Sequence, residues 1–364
     1  MTDSETSANS PSPDHAPSTC PPPSAYAAAG VDIDAATHTK ERIRDAVRST
    51  YGPEVISDVG GFGGLFAPDL SQSPSPVLVA STDSVGTKLK VAFATGIHNT
   101  VGRDIVAHCA NDILVQGARP LFFLDYIGIG HHDSDVVTSV IEGVAEGCRE
   151  CGCALLGGEM AELPEFYNEG EYDLVGTIIG QVDRSTLIDG SSIAAGDILI
   201  GLPSVGLHTN GYSLARRILF QQAGLSVDSL LDGCDATVGE VLLAPHKPYI
   251  EPVLALAGKI EVRGLAHITG GGITDNLPRI FPSGLGAIVC RGTWKELPVF
   301  GALRGLGDVT DQEMFRVFNM GVGMVVVVSP DQADGALEIL RSEGEDPSII
   351  GEIVPDPSGT AAIS

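Results

Sequence analysis

Residues 78–89 read LVASTDSVGTKL, an apolar run that passes straight into a carboxylate, a glycine, a hydroxyl and a lysine. That order predicts a strand delivering Asp83, Gly86, Thr87 and Lys88 to its carboxyl end, where sheet proteins place ligands. A carboxylate there can hold a divalent cation, and the glycine and hydroxyl let donors approach a polyphosphate. A capping Asp83 and a solvated Lys88 explain the same letters, so other segments are needed to choose.

Residues 102–116 place Ile105, Val106, Cys109, Ala110, Ile113 and Leu114 on one stripe, which predicts a helix. Asp104, His108 and Asp112 follow at intervals of four on another face, which on a soluble helix ordinarily meets water. Asn111 borders the apolar stripe, the half-buried place that a metal-binding amide or carboxylate needs. Residues 153–162, CALLGGEMAE, predict a short strand ending at Gly157-Gly158 and then offering Glu159 and Glu162. The glycines permit a tight turn beneath a ligand, and solvated glutamates in a plain turn are the alternative. Three element ends, each with acids beside small residues, favour a shared magnesium–nucleotide site.

With these segments in place, the chain resembles the phosphoribosylformylglycinamidine cyclo-ligase (aminoimidazole ribonucleotide synthetase) family. The matching segments are 29–34 (AGVDID), 60–64 (GGFGG), 82–89 (TDSVGTKL), 111–117 (NDILVQG), 120–126 (PLFFLDY), 157–162 (GGEMAE), 208–213 (HTNGYS), 267–272 (HITGGG) and 318–324 (FNMGVGM). They follow the family's order over nearly everything after residue 25. Several recur in the wider superfamily of ATP-using enzymes, including formylglycinamidine ribonucleotide synthetase and selenophosphate synthetase. AGVDID, PLFFLDY and HTNGYS are more specific. One departure stands out: Tyr26 is followed by Ala27 where the family usually carries a lysine, and Lys40, Arg42 and Arg44 are the candidate substitutes.

Composition narrows the partners. The 364 residues are 43% hydrophobic, enough for two packed domains. No run approaches the ~20 apolar residues that span a bilayer, and residues 324–328, MVVVV, predict a buried strand. Residues 1–24 are rich in Ser, Pro and Thr and read as a disordered extension rather than a targeting peptide, which predicts a cytoplasmic protein. Of the seven cysteines, Cys148, Cys151 and Cys153 cluster, yet they straddle the end of a helix and the start of a strand and lack a second pair at zinc spacing. Buried thiols are the expectation. A net charge of −26 excludes nucleic acid and anionic membrane as partners. Phosphate ligands must then be met locally, by magnesium, backbone N–H groups and a few cations.

The fold class read from the pattern is α+β (mixed α/β) with two domains. Strands at 77–81, 121–126, 154–156 and 172–182 alternate with helices at 102–116 and 134–152. After the turn-rich stretch 183–196 come a strand at 197–202, helices at 211–222 and 249–257, a strand at 265–268 and a helix at 275–280. Strands at 287–290 and 323–328, a helix at 331–343 and a strand at 349–353 complete the pattern. The boundary falls in that stretch, giving an ATP-binding and dimerisation domain at 25–185 and an α+β domain at 186–364. The resemblance implies a homodimer whose N-terminal sheets join in a barrel-like core.

It also implies the reaction: formylglycinamidine ribonucleotide and ATP give aminoimidazole ribonucleotide, ADP and phosphate through an iminophosphate. On the matching positions, Asp83, Asp112 and Glu159 are expected to bind Mg2+ with Asn111 as a further oxygen ligand. Asp83, Asp112 and His208 carry the catalytic expectation. ATP phosphate contacts are expected from Thr87, Lys88 and the loop Gly60, Gly61, Phe62, Gly63 and Gly64. Substrate contacts are expected from Asn210 and Ser213, and from Thr269, Gly270, Gly271 and Gly272 at a helix start. Asn319 to Gly323 approach the same cleft, whereas His98, His131 and His132 read as exposed loop residues without a role. Two other readings remain: a sister enzyme of the superfamily, disfavoured because no reactive Cys-Lys pair adjoins Gly60, and a nucleotide-binding scaffold without turnover.

Overall fold

The structure is a computed structural model that describes residues 33–60, 63–71 and 73–364. The segment 1–24, the AGVDID motif up to residue 32, Tyr26 with Ala27, and Gly61 with Phe62 lie outside the described residues.

Strand β4 (Tyr172–Asp183) sets the first sheet, because its residues alternate strictly between buried and half-buried, the signature of a strand with unlike faces. Strands β1 (Pro76–Ser84) and β2 (Arg119–Ile129) flank it antiparallel, and β3 (Ala154–Glu162) runs parallel to β2, giving the order β1-β4-β2-β3. On one face lies helix α3 (Asn99–Leu114), with α4 (Ser134–Cys151) packed on α3 and α1 (Ile33–Arg48) on α4; α2 (Leu89–Thr95) follows β1. The other face of β1 shows Leu78, Ala80 and Thr82 to solvent.

The second sheet holds β5 (Ile198–Pro203), β6 (Gly264–His267), β7 (Leu285–Val289), β8 (Val322–Val328), β9 (Ser348–Pro355) and β10 (Ala361–Ile363) in the order β10-β7-β9-β5-β8-β6. Every residue of β8 is buried, as the run of valines predicts for a strand covered on both faces.

Most elements fall where periodicity puts them, with informative shifts. β1 continues to Ser84, so Asp83 sits within the ladder opposite Gly176. β3 continues to Glu162, so Gly157 and Gly158 are strand residues rather than a turn. Gly158 is required there, since a Cβ would fall 2.2 Å from Asp125 Oδ1. The helices Pro298–Gly307 and Asp311–Val317 escape the sequence reading. His132 is buried against Thr39, correcting its reading as exposed, and His98 bonds the Tyr172 hydroxyl at 3.0 Å. Cys109, Cys148, Cys151 and Cys153 are buried free thiols. Among the described residues no helix is long and apolar enough to cross a membrane.

Helices α3 and α4 meet backbone to backbone through two glycines. A Cβ at Gly143 would lie 1.9 Å from the Asn99 carbonyl oxygen, and one at Gly102 2.3 Å from that of Val140. Gly143→Ala is therefore expected to lower the unfolding free energy by roughly 2 kcal/mol or more. Gly301→Ala, on an exposed helix with nothing within 4 Å of the new Cβ, should raise it by up to about 1 kcal/mol. Urea denaturation of both variants checks the contrast.

Candidate active site

The face of α3 that carries Asp104, His108 and Asp112 is buried at its first two residues and only partly exposed at Asp112, which corrects the solvated reading. Asp104 and Asn111 have no exposed surface, and His108 is buried too. Loops of the second half cover them, and burial of so polar a face is tolerated because its groups are paired. His246 N donates to Asp104 Oδ1 at 2.6 Å. Tyr249 N donates to Asn111 Oδ1 at 3.0 Å, and Asn111 Nδ2 donates to the Lys247 carbonyl at 2.9 Å.

At the rim of this face two carboxylates converge. Asp83 Oδ2 meets His108 Nε2 at 2.9 Å, and Asp83 Oδ1 accepts from Ser84 N at 2.7 Å. Asp112 accepts from His267 Nδ1 at 2.8 Å and from Ser81 Oγ at 3.1 Å. One donor atom each of Asp83, His108 and Asp112 lies within 4.8 Å of the others. The Asp83 and Asp112 side chains remain 40% and 29% exposed, so the pair still reaches solvent.

Burial opposes ionisation of both, but contacts with the histidines prevail and hold each carboxyl below its usual value. For His108 burial favours the neutral ring, yet the Asp83, Asp112 and Asp104 carboxylates outweigh it and hold the imidazole above its ordinary value. Each carboxylate oxygen keeps a lone pair beyond its one partner. Two ionised, half-exposed oxygen donors side by side are the set that a magnesium-sized cation accepts.

Behind the carboxylates lies a buried ion pair. Lys88, on the 3-10 turn Gly86–Lys88, has no exposed surface. Its Nζ meets Asp104 Oδ2 at 2.7 Å and donates to the carbonyls of His208 at 3.1 Å and Ala244 at 2.9 Å. Burial pushes Lys88 below and Asp104 above their ordinary values, each opposed by the charge of the other. His208 has φ +61, a region that non-glycine residues avoid, and Lys88 holds its carbonyl in that turn. Gly323 must be glycine here, because a Cβ would fall 2.7 Å from His208 Cε1 and 2.1 Å from Tyr249 Oη.

Several site expectations change accordingly. Lys88 is not a phosphate contact, because its three protons have partners inside the protein. The Asn111 amide is engaged by the 246–249 segment, its Oδ1 by Tyr249 N and its Nδ2 by the Lys247 carbonyl and His246. His208 is not a solvent-facing proton donor: its ring is buried, and burial drives its pKa well below the ordinary value.

Glu159 does not join Asp83. The pairings Asp83–Gly176–Asp125–Gly158 place it one residue beyond this level, on the opposite face of the sheet. It is also three strand spacings, about 14 Å, away. Of the described glycine-loop residues, Gly64 lies against Leu156 of β3 at the same far edge, and Gly60 and Gly63 are exposed.

Other expected residues do meet. Thr87 Oγ1 lies 3.1 Å from Ser213 Oγ, joining the two halves. Asn210 sits beside Gly270, whose Cβ would lie 3.1 Å from Asn210 Oδ1. Asn276 Nδ2 gathers the carbonyls of Thr269, Gly270 and Gly272, with Gly271 and Gly272 at positive φ. The helix that follows is only Gly272–Asn276, too short for a strong dipole. His246, which contacts His267, Asn111 and Thr209, is the site residue that sequence reasoning missed.

This pairing of a four-stranded and a six-stranded sheet around an acid–histidine seam places the chain among proteins built from AIR synthase-like halves. The family model "AIR synthase related protein, N-terminal domain" matches residues 70–182, and "AIR synthase related protein, C-terminal domain" matches residues 194–364. The phosphoribosylformylglycinamidine cyclo-ligase of Geobacillus thermodenitrificans is 50% identical over 91% of this chain and 95% of its own length. That of Geotalea uraniireducens is 48% identical over 93% and 97%. The chain belongs to the phosphoribosylformylglycinamidine cyclo-ligase family. The fold extends further: thiamine-monophosphate kinase from Stenotrophomonas maltophilia superposes with TM-score 0.65 at 20% identity, covering 89% of this chain and 96% of its own. The hydrogenase maturation protein HypE in complex with ATP gives TM-score 0.61 at 19% identity, covering 90% and 91%.

Breaking one partner of a buried ion pair costs far more than replacing both. Lys88→Met or Asp104→Leu alone should lose roughly 3–5 kcal/mol, and the double variant should recover most of it; urea unfolding of the three proteins measures this. Acid should act through Asp83 and Asp112, whose folded values lie below the unfolded one. Their stabilisation is complete above about pH 4 and is lost as pH falls through the folded values. Asp112→Asn is expected to flatten the acid limb of stability against pH, measured by thermal unfolding.

Proposed function

We propose that Asp83 and Asp112 form the cation-holding centre of the reaction that family membership gives this chain, the ATP-dependent cyclisation of formylglycinamidine ribonucleotide to 5-aminoimidazole ribonucleotide, ADP and phosphate. The observation that carries the assignment is the meeting of these two ionised carboxylates at the seam of the sheets, within 4.8 Å of one another and of His108. Mg2+ bound there with ATP would neutralise triphosphate charge. The chain's own part is to keep the carboxylates ionised and oriented, which His108 and His267 do through one N–H each.

Chemistry follows from positioning. An amide oxygen leaves poorly, so the γ-phosphoryl group passes to the formyl oxygen, and the neighbouring nitrogen then displaces phosphate from the activated carbon. Both steps need alignment more than covalent help from the protein. Thr87 and Ser213, which meet across the halves, are assigned to the phosphate and substrate sides of the cleft. Asn210 with the loop Thr269, Gly270, Gly271 and Gly272 is assigned to the ribonucleotide.

The far-edge group, Glu159 with the Gly60–Gly64 loop, fits a homodimer in which one chain's β3 edge completes the other chain's Asp83 site. The solvent-facing side of β1, with Leu78 66% exposed, supports such pairing. Residues 25–185 then form the ATP-binding and dimerisation domain and 186–364 the second domain. The cytoplasm suits the buried free thiols.

Co-expression of Asp83→Asn and Glu159→Gln chains tests the shared site. Each variant alone should lose at least ~100-fold in ribonucleotide-dependent phosphate release. Isolated mixed dimers should regain about half the wild-type rate, because one of their two sites is intact. Mixed dimers as inactive as the parents would place all ligands within one chain, and full activity of Asp83→Asn would remove the carboxylate centre.

A further inference from the structure

We propose that His208, His246 and His267 form a second cation site, for a divalent transition ion of the zinc class rather than for magnesium. One ring nitrogen of each lies within 4.8 Å of those of the other two, and all three residues are buried. His208 and His246 come from two loops of the second half and His267 from the end of β6, and the cyclisation assigned above does not use them as a metal centre.

The hydrogen bonding demands a positive species among them. Asn111 Oδ1 accepts from a backbone N–H and its Nδ2 donates to a backbone carbonyl, which fixes the amide. Nδ2 therefore also points a proton at His246 Nε2, 3.2 Å away, so that nitrogen is unprotonated and its single lone pair, held in this long contact, is the one an ion would take over. Asp112 accepts from His267 Nδ1, so in the neutral ring His267 Nε2 presents a lone pair as well. These two nitrogens face each other at 3.1 Å. Two imidazoles on one tetrahedral ion, with bonds of ~2.0–2.1 Å, hold their nitrogens at about that separation.

Two independent features agree. Both ring nitrogens of His208 are buried and have no hydrogen-bond partner among the described residues, an orphan that a ligated ion accounts for. His208 stacks on His246 with ring centroids 4.0 Å apart, which keeps its ring beside the other two histidines. A carboxylate behind a ligating histidine, as Asp112 stands behind His267, orients the ring and strengthens its donor nitrogen. Imidazole nitrogen selects zinc-class ions over magnesium, which prefers oxygen.

The full-length chain, stripped with chelator and dialysed for long periods against Zn2+ in excess Mg2+, should retain one Zn2+ per chain by elemental analysis. Co2+ in its place should give the intense visible bands of a tetrahedral nitrogen site. His208→Ala and His246→Ala should each weaken Zn2+ binding at least ~10-fold, and His131→Ala, in an exposed loop, should not. Absence of retained Zn2+, retention undiminished in both cluster variants, or a weak octahedral Co2+ spectrum would overturn the site and leave a shared proton between His246 and His267. Should the variants fail to fold, the wild-type Zn2+ stoichiometry and Co2+ spectrum decide alone. The cyclo-ligase assignment stands or falls separately, on phosphate release.

Discussion

A lysine and an aspartate without exposed surface hold the two halves of this protein in one arrangement. Lys88 follows the first strand, Asp104 lies on the helix that covers that strand, and both reach across to the second half. The lysine takes the carbonyls of His208 and Ala244, and the aspartate takes the amide of His246. An isolated buried charge is prohibitive, so each group tolerates its burial only while the other, and the second half's backbone, stay in place. The geometry of the cleft follows from that mutual dependence.

The functional residues are arranged in layers above it. Asp104, His108 and Asp112 stand at successive turns of one helix face, grading from wholly buried to partly exposed. The innermost is spent on assembly, and the outermost, with Asp83, keeps side-chain oxygens in reach of solvent. Histidines occupy the middle, where they hold the carboxylates ionised without adding fixed positive charge to the rim. This explains how so acidic a chain handles anionic substrates: the charge that matters is placed locally, and the exterior stays acidic.

Much of this was legible in the sequence. The apolar stretch at 172–182 and the valine run at 324–328 announced their strands, whereas Asp83 and Asp112 were ambiguous in local context and were singled out by the family resemblance. The long-range partners of Lys88 and Asn111 were not legible, because local pattern reports that a residue is polar, not what it will meet from more than a hundred positions away. Twelve of sixteen residues of α3 are buried, Asp104 and His108 among them, so most of its polar stripe faces protein rather than water; only the second half's loops reveal that. The separation of Glu159 from Asp83 within one chain was hidden for another reason. Sheet order is a tertiary property, and β4 inserts between strands that are neighbours in sequence, carrying Glu159 to the far edge.

The most direct measurement is a crystal structure of the chain with Mn2+ and a non-hydrolysable ATP analogue, with manganese located by its anomalous scattering. The account predicts a manganese peak bonded to carboxylate oxygens of both Asp83 and Asp112, bridging them to the analogue's phosphates. Manganese and triphosphate bound elsewhere, with those carboxylates still held only by His108 and His267, would contradict it.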